Sequence, residues 1–573
     1  MRKTLIISIL SIVYIPLFAV PAYRGPYKIT QADGSEKTVY VHGDEHFHYM
    51  TDAEGTWLKW QDNKLVSAEA LSADEIVSRR EASPMRVMQR KREAANDINL
   101  APRGLVILVN FSNLSFAESN TREEFDRMMN EPDYTYQGAT GSVKDYFRAQ
   151  SFGMYDPIFD VVGPVTLNNT YQYYGKNDSY YDQDSRPDQM IIDACKKADS
   201  ELGVDFSQYD NDNDGFVDFV FVFYAGHGEA DYYYADTDVI WPHMSYVYYN
   251  GYGTTCRLDG KIIDQYACSN ELPYSSTDAR PYHVGISTCC HEFSHVMGLP
   301  DMYNTQNPSD ILTMGNWDIM DAGPHNNNGR TPPAYSGYER FYCGFSTPRI
   351  LNSPCNVTLS DIKSTGQILL ITSTGAHNLN GEKPNPSTFY VLENHQKTGW
   401  DAFLPGHGLL VTRVKYNTLA WQNNTVNNDS ANHRIALIPA DGKISFTSYS
   451  GKVGDGGDTY PGTKNVTTCT LLNDYPITDI TEKDGQIHFK FMGGGEELEL
   501  STSTIDGSNL LFSTQSETLN ISGLTEKQHI AVYNAVGQLI QNTTAQSETI
   551  NIPLQKGIYI VKVDNLIKKI IVN

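Results

Sequence analysis

Two histidines and a glutamate lie in one short segment whose spacing suits metal-dependent hydrolysis. The segment reads HEFSHVMGLPD, from His291 to Asp301. His291 and His295 are four residues apart, so a helix would project both imidazoles from one face. Two imidazoles placed in this way can bind one zinc ion, and Glu292 beside them can take a proton from a water on that ion. The pattern predicts an active-site zinc, with Glu292 as the catalytic general base.

A sharp turn is predicted directly after this helix. Gly298 can adopt a positive φ and end the helix, and Asp301 follows on the turn, six residues after His295. This position suits a third metal ligand. Further along, GNWDIMDAG forms a tight turn bracketed by glycines, with Met320 near its centre.

These phrases resemble the signatures of known peptidases. HEFSHVMGLPD is similar to the H-E-x-x-H-x-x-G-x-x-H/D motif of metzincin-like zinc peptidases, and GNWDIMDAG resembles their Met-turn. More narrowly, the chain resembles the immune inhibitor A-like family of secreted metallopeptidases over roughly residues 25–490. The stretches that carry this likeness are GDEHFHYMTDAEG, GSVKDYFRAQSFGMYDPIFDVVGPV, DNDNDGFVDFVFVFYAGHGEAD, HEFSHVMGLPDMY and ENHQKTGWDAFLPGHGLLV.

The resemblance implies a role for each residue of the motif. His291 and His295 would be zinc ligands and Glu292 the general base. Asp301 would be the third ligand, where most metzincins have histidine. By analogy with peptidases whose third ligand is a later helical glutamate, Glu339 in YSGYERF is the competing candidate.

Three further residues take roles around the metal in the same resemblance. Met320 would lie beneath the ion without binding it. Tyr335 or Tyr338 could steady the oxyanion that forms during hydrolysis. The implied activity is that of an endopeptidase acting on protein or peptide substrates.

A second metal is suggested by the segment DNDNDGFVD. Asp210, Asp212 and Asp214, with Gly215 and then Asp218, give carboxylates at alternating positions before a glycine, an arrangement that can surround calcium. The twelfth position of an EF-hand would be glutamate, and here it is Phe221. We therefore expect a calcium site that is not a full EF-hand, the alternative being an acidic turn before a strand.

Both ends of the chain point to export. Residues 1–22 have a basic start, an apolar run and small residues at the end, which is typical of a signal peptide. The last residues, with VYNAVGQLI, INIPLQKGIYIVKV and KKIIVN, resemble the C-terminal sorting domain of the type IX secretion system of Bacteroidetes. The sequence predicts a secreted or cell-surface protein, exported through the periplasm, with the type IX machinery as a partner and no stable membrane span.

Composition narrows the possible functions. The 573 residues carry 44 Lys and Arg against 68 Asp and Glu, a net charge of −24. Nucleic-acid binding needs a basic face, so a DNA or RNA partner is not expected. Eight cysteines in an exported protein make some disulfides plausible, though spacing cannot fix their pairing.

The chain is expected to be an α+β multidomain protein with a metzincin-like zinc peptidase catalytic domain. The predicted boundaries are a signal peptide at 1–22, a propeptide at 23–103, the catalytic domain at 104–350 and a β-rich accessory domain at 351–493. A linker and a C-terminal Ig-like sorting β-sandwich follow at 494–573. Basic pairs at Arg79-Arg80 and in Arg90-Lys91-Arg92 are suited to proteolytic processing.

The N-terminal block resembles the propeptide of the same family and contains no cysteine, so a thiolate cannot cap the zinc. Inhibition would require occupation of the cleft or an oxygen or nitrogen ligand. The available side chains are His42, Asp44, Glu45, His46 and His48, which could equally be ordinary polar residues of strands.

The alternative function is a surface β-rich adhesin, or a binding scaffold with a structural or degenerate metal site. The intact Glu292 favours the enzyme, because a structural zinc has no use for a general base.

Overall fold

The fold is taken from a computed structural model of the chain. It describes Ala22 and residues 26–30, 35–44, 47–61, 64–72, 75–76, 102–177, 184–211, 213–229, 238–247, 255–273, 281–305, 313–373, 375–443, 455–469, 474–500, 511–515, 518–522, 524, 527–534, 538–547, 549–563 and 566–572. The predicted signal peptide and the basic pairs at 79–80 and 90–92 fall outside these residues, apart from Ala22. The chain divides into two compact units, Met1–Ser503 and Thr504–Asn573.

The first unit begins with an antiparallel sheet whose strands pair in chain order. Its strands are β1 (Tyr27–Thr30), β2 (Glu36–Asp44), β3 (Phe47–Thr51), β4 (Trp57–Gln61) and β5 (Lys64–Ser67). Apolar residues alternate along these strands, and those on the inner face pack around Trp241, which belongs to a later part of the chain. The N-terminal sheet is thus packed against the following region through an indole ring.

A mixed sheet forms the centre of the next region. Its strands are β6 (Arg103–Asn110), β7 (Ile158–Thr166), β8 (Val220–His227), β9 (His243–Tyr246) and β12 (Gln265–Leu272). Between β9 and β12, β10 (Cys256–Leu258) and β11 (Lys261–Ile263) form a separate two-stranded ribbon. The sheet order is β7-β6-β8-β12-β9; β9 runs antiparallel to β12 and the other pairs are parallel. Continuous apolar runs form β6 and β8, which are covered on both faces as parallel strands usually are.

Helices cover the two faces of this sheet. In chain order they are α1 (Arg122–Asn130), α2 (Val143–Gln150), α3 (Tyr171–Gly175), α4 (Pro187–Leu202), α5 (Ser287–Val296) and α6 (Gly337–Tyr342). Buried residues of α4 share a core with one face. Those of α1, α2, α5 and α6 share the core on the other face, which extends into the following region. Helix α5, with the HEFSH segment, is therefore held between the sheet and that region.

The region after α6 is rich in strands. It contains β13 (Arg349–Leu351), β14 (Cys355–Leu359), α7 (Ile362–Thr365), β15 (Leu369–Thr372), β16 (Thr388–His395), β17 (Gly408–Lys415), α8 (Thr418–Gln422), β18 (Ile435–Leu437), β19 (Ile477–Lys483) and β20 (Gln486–Phe491). One sheet has the order β13-β15-β16-β17-β18 and the other the order β14-β20-β19. Phe389, Val391 and Leu410 from this region contribute to the same core as α5.

The regular elements described in the second unit are strands. These are β21 (Leu511–Gln515), β22 (Thr518–Ser522), β23 (His529–Asn534), β24 (Leu539–Thr544), β25 (Thr549–Pro553), β26 (Gly557–Val563) and β27 (Leu566–Val572). They form antiparallel sheets with the orders β21-β22-β25 and β24-β23-β26-β27. Leu519 and Ile552 of the first sheet share an apolar core with Val532 and Val561 of the second.

Candidate metal centre

The two histidines of the motif lie on α5 and face each other. Their Nε2 atoms are 3.2 Å apart, and the rings meet edge to face. The ligand atoms of His291, Glu292 and His295 all lie within 4.8 Å of one another. The i, i+4 spacing thus produces the expected convergence on one face of the helix.

The hydrogen bonds of the two rings fix where their protons lie. Nδ1 of His291 is 2.7 Å from the carbonyl oxygen of Ile319, and Nδ1 of His295 is 2.7 Å from that of Leu299. A carbonyl only accepts, so each Nδ1 carries a hydrogen and each ring turns its Nε2 atom towards the other ring. Burial, followed by the nearby charge of His291, lowers the pKa of His295 well below its usual value, which favours the neutral ring.

Asp301 lies in the same cluster. Its Oδ1 atom is 3.2 Å from Nε2 of His291 and 3.6 Å from Nε2 of His295, and all three side chains are buried. The Nε2 atoms of the two histidines and one carboxylate oxygen of Asp301 therefore lie close together, an arrangement that a bound cation would stabilise. This donor set of two imidazoles and one carboxylate fits zinc.

The backbone after α5 brings Asp301 back towards the histidines. Gly298 has φ +89°, in the left-handed region that glycine adopts at the end of a helix. Its neighbour Leu299 supplies the carbonyl that holds His295. The predicted glycine turn therefore positions both Asp301 and the ring of His295.

The predicted Met-turn supports the other histidine. Asp321 accepts backbone N–H groups from Thr313, Met314 and Gly315, which folds the loop on itself. The loop presents the Ile319 carbonyl to His291, and Met320 is buried beside it in the core shared with α5.

Glu339, the competing third ligand, has another environment. It is the third residue of α6, where Ser336 caps the helix and Glu339 accepts the backbone N–H of Ser336 in a capping box. Burial, followed by the charge of Asp318, raises the pKa of Glu339 well above its usual value. These contacts tie Glu339 to its own helix cap, whereas Asp301 touches both histidines.

Both candidate oxyanion tyrosines are fully buried. The hydroxyl of Tyr335 is 2.5 Å from Oγ of Ser294, the residue before His295 on α5. The ring of Tyr338 packs among Tyr342, Phe389 and Trp421. Neither contact involves Glu292, and the oxyanion role stays a prediction.

A second buried polar cluster, which the sequence analysis did not single out, lies behind the Met-turn. The imidazole of His395 bridges Glu393 and Asp401, with Nε2···Oε2 and Nδ1···Oδ2 distances of 3.0 and 2.8 Å. Burial lowers the pKa of His395, but the two carboxylates outweigh this and raise it to about 10. Asp401 also accepts the backbone N–H of Ala334, and Glu393 that of Gly337, at the start of α6. ENHQKTGWD carried a family resemblance, but its spacing gave no sign of this cluster.

The proposed calcium segment forms a compact turn. Both oxygens of Asp210 accept backbone N–H groups, from Asp214 and Gly215 at 3.0 Å each. Nζ of Lys261 also lies 2.6 Å from Oδ2 of Asp210. Asp218 accepts from Asn211, while Asp212 lies outside the described residues. A calcium ion here would compete with the lysine, and the site stays a prediction.

The histidines of the N-terminal sheet contact other groups. His42 Nε2 is 2.9 Å from Oγ1 of Thr51, and His48 Nε2 is 3.0 Å from Oε1 of Glu229. The ring of His48 also stacks on Trp241. Residues 45–46 and the side chain of Asp44 lie outside what the structure describes.

The expected disulfides are not formed. All eight cysteines are buried, and none is joined to another in a disulfide. An even count in an exported chain makes pairing plausible, but these side chains lie in the interior, where a cysteine behaves as a small apolar residue.

The metal cluster is closed to solvent. His291 and Glu292 have no exposed surface and His295 has 2%. In this form of the full chain, a polypeptide could reach Glu292 only after part of the molecule moved.

Comparisons with known proteins match two regions of the chain. Residues 103–346 match the family described as immune inhibitor A peptidase M6, catalytic domain, and residues 515–573 match the secretion system C-terminal sorting domain. The chain is 24% identical over 270 residues to the pre-pro-metalloprotease PrtV of Vibrio cholerae serotype O1, covering 41% of this chain and 29% of PrtV. It is also 24% identical over 280 residues to immune inhibitor A of Bacillus thuringiensis subsp. alesti, covering 43% of this chain and 40% of that protein. The chain therefore spans less than half the length of each relative.

The sorting-domain match supports a secreted or cell-surface location. Among the described residues, no helix is long and apolar enough to cross a membrane.

Proposed function

We propose that this chain, which contains an immune inhibitor A-type peptidase M6 catalytic domain and a secretion sorting domain, is a secreted zinc-dependent endopeptidase acting on protein substrates. The observation that best supports it is the convergence of His291, His295 and Asp301 beside Glu292. A metal held by three protein ligands keeps a position for water and substrate, as catalytic zinc sites do.

In this proposal His291 and His295 would hold zinc through their imidazoles, and Asp301 would hold it through its carboxylate. When bound, zinc would supply a Lewis acid that polarises the scissile carbonyl and acidifies a water molecule. Glu292 takes a proton from the attacking water and delivers it to the departing peptide nitrogen. The carbonyls of Ile319 and Leu299 keep both rings in the tautomer that ligation needs.

We assign the remaining parts of the chain in the same proposal. Residues 104–350 form a metzincin-like catalytic domain and residues 23–103 a propeptide, which fits the closed site and the packing of β1–β5 against Trp241. Residues 351–493 form an accessory domain. Residues 494–573 form a linker and an Ig-like sorting sandwich that engages the type IX secretion machinery, and the 210–218 turn takes up calcium by displacing Lys261.

The test uses the processed, secreted form of the protein. Casein hydrolysis should be abolished by a zinc chelator, restored by zinc, and reduced by at least about a thousandfold in Glu292→Gln, because the proton carrier is lost while the ligands remain. Metal analysis should find one zinc in both proteins. Equal hydrolysis by wild type and Glu292→Gln would reject the peptidase and favour a binding scaffold that retains a metal.

A further inference from the structure

We propose that Asn424, which lies outside the matched catalytic domain, is a positioning residue for Asp301 and completes the metal centre from the strand-rich region. This inference rests on the proposed function, since it assumes that Asp301 is a zinc ligand.

Asn424 holds Asp301 at two points. Its Nδ2 donates to Oδ2 of the Asp301 carboxylate at 2.6 Å, and its Oδ1 accepts the backbone N–H of Asp301 at 2.6 Å. Both residues are fully buried. The first bond fixes Oδ2, leaving Oδ1 of the same carboxylate as the atom that lies 3.2 Å from His291.

The backbone at residue 424 explains why asparagine suits this position. Asn424 follows α8 with φ +49°, a left-handed conformation that asparagine tolerates better than most residues. Its own carbonyl accepts the hydroxyl of Thr305 at 2.9 Å, which ties the same turn to the chain after Asp301. A side-chain amide supplies both the donor for the carboxylate and the acceptor for the N–H.

This arrangement has a defined consequence for metal binding. A ligating carboxylate that is already oriented by a hydrogen bond loses less freedom when the ion binds, and such partners typically change metal affinity by 10–100-fold. The strand-rich region would therefore contribute to zinc affinity without contacting the ion.

The decisive variant is Asn424→Gly, because glycine keeps the left-handed backbone and removes only the side chain. Zinc affinity is measured by competition with a chromogenic chelator, on full-length protein shown to be folded by circular dichroism. We expect affinity to fall by about 10–100-fold. Asn465→Gly is the matched control: Asn465 also has a positive φ, 53°, but is exposed and contacts no group of the metal centre, so affinity should not change.

A double-variant cycle separates positioning from a general structural effect. In an Asp301→Ala background, Asn424→Gly should cause little further loss of zinc affinity, because the group that Asn424 orients is gone. Should Asn424→Gly fail to fold, Asn424→Asp keeps the side-chain volume, removes the donor and should also weaken binding. Unchanged affinity in the folded variant, or an equal loss with and without Asp301, would overturn the inference. Failure of the wild type to bind zinc would instead count against the proposed function.

Discussion

At the scale of single residues, the choice of third ligand depends on which carboxylate can reach both histidines. Asp301 lies 3.2 and 3.6 Å from the two Nε2 atoms. Glu339 accepts the N–H of Ser336 within its helix cap and lies close to the charge of Asp318. The contacts favour Asp301, and the two carboxylates can be separated by experiment.

Asp301→Ala should lose zinc, whereas Glu339→Gln should keep it. Removing one of three ligands takes away a direct bond to the ion, and we expect affinity to fall by at least about a hundredfold. Glutamine at 339 can still occupy the cap of α6 without the buried negative charge. Zinc content after dialysis measures both outcomes, and a zinc-free Glu339→Gln alongside a zinc-loaded Asp301→Ala would reverse the assignment.

Local spacing explains which site residues the sequence could predict. The convergence of His291 and His295 depends on one helical turn, and Asp301 follows within a few residues. Asn424 is 123 residues from Asp301, and Asp401 is 67 residues from Ala334, so only the tertiary fold brings each pair together. The repeating pattern of one sequence indicates local structure and does not predict contacts between such distant residues.

At the scale of elements, buried charged side chains on and just after β16 bind the backbone at the start of α6. His395 holds Glu393 and Asp401, which bind the backbone N–H groups of Gly337 and Ala334 at either side of Tyr335. Tyr335 in turn contacts Ser294 on α5. The strand-rich region is therefore connected to the helix of the metal centre through a short series of hydrogen bonds.

The titration of His395 should make this connection sensitive to alkaline pH. Its pKa is about 10 in the folded protein against 6.5 for an ordinary histidine, so its stabilising contribution is complete below pH 6.5 and is lost as pH rises through about 10. Wild type should melt several degrees above His395→Gln at pH 6, and the difference should narrow by pH 10. Differential scanning calorimetry across this range provides the measurement.

His407→Gln is the control for this prediction. His407 also pairs with a glutamate, Glu482, but its side chain is 53% exposed. An exposed ion pair contributes little, so this variant should melt close to wild type. A constant difference between wild type and His395→Gln from pH 6 to pH 10 would contradict the role given to His395.

The strongest elements were predictable because their pattern is local. The sequences of β6 and β8 are continuous apolar runs, which are typical of strands covered on both faces. The short helix α6 was not predicted, although its capping residues Ser336 and Glu339 have the S-x-x-E spacing. A helix of six residues depends on its packing more than on its own pattern.

At the scale of the whole molecule, the closed metal site suggests that the full chain is a latent form. Glu292 is buried, and the N-terminal sheet is fixed through Trp241 and the His48–Glu229 contact. The basic pairs between this sheet and β6 are where the sequence predicts cleavage. Cleavage at either position would separate this sheet from β6.

Protein lacking residues 23–103 after processing should hydrolyse casein at least about tenfold faster than the uncut chain, because substrate can then reach Glu292. N-terminal sequencing identifies the cut, and the processed Glu292→Gln variant controls for contaminating protease. Equal rates before and after removal of the block would show that it does not restrict the site.

Two buried thiols on α5 can be used to measure whether this helix separates from its core. Because Cys289 and Cys290 lie on α5 next to His291, an alkylating reagent can modify them only when that helix separates from its core. A metal ion bound by His291 and His295 would hold α5 in this core. Ion occupancy and thiol protection should therefore rise and fall together.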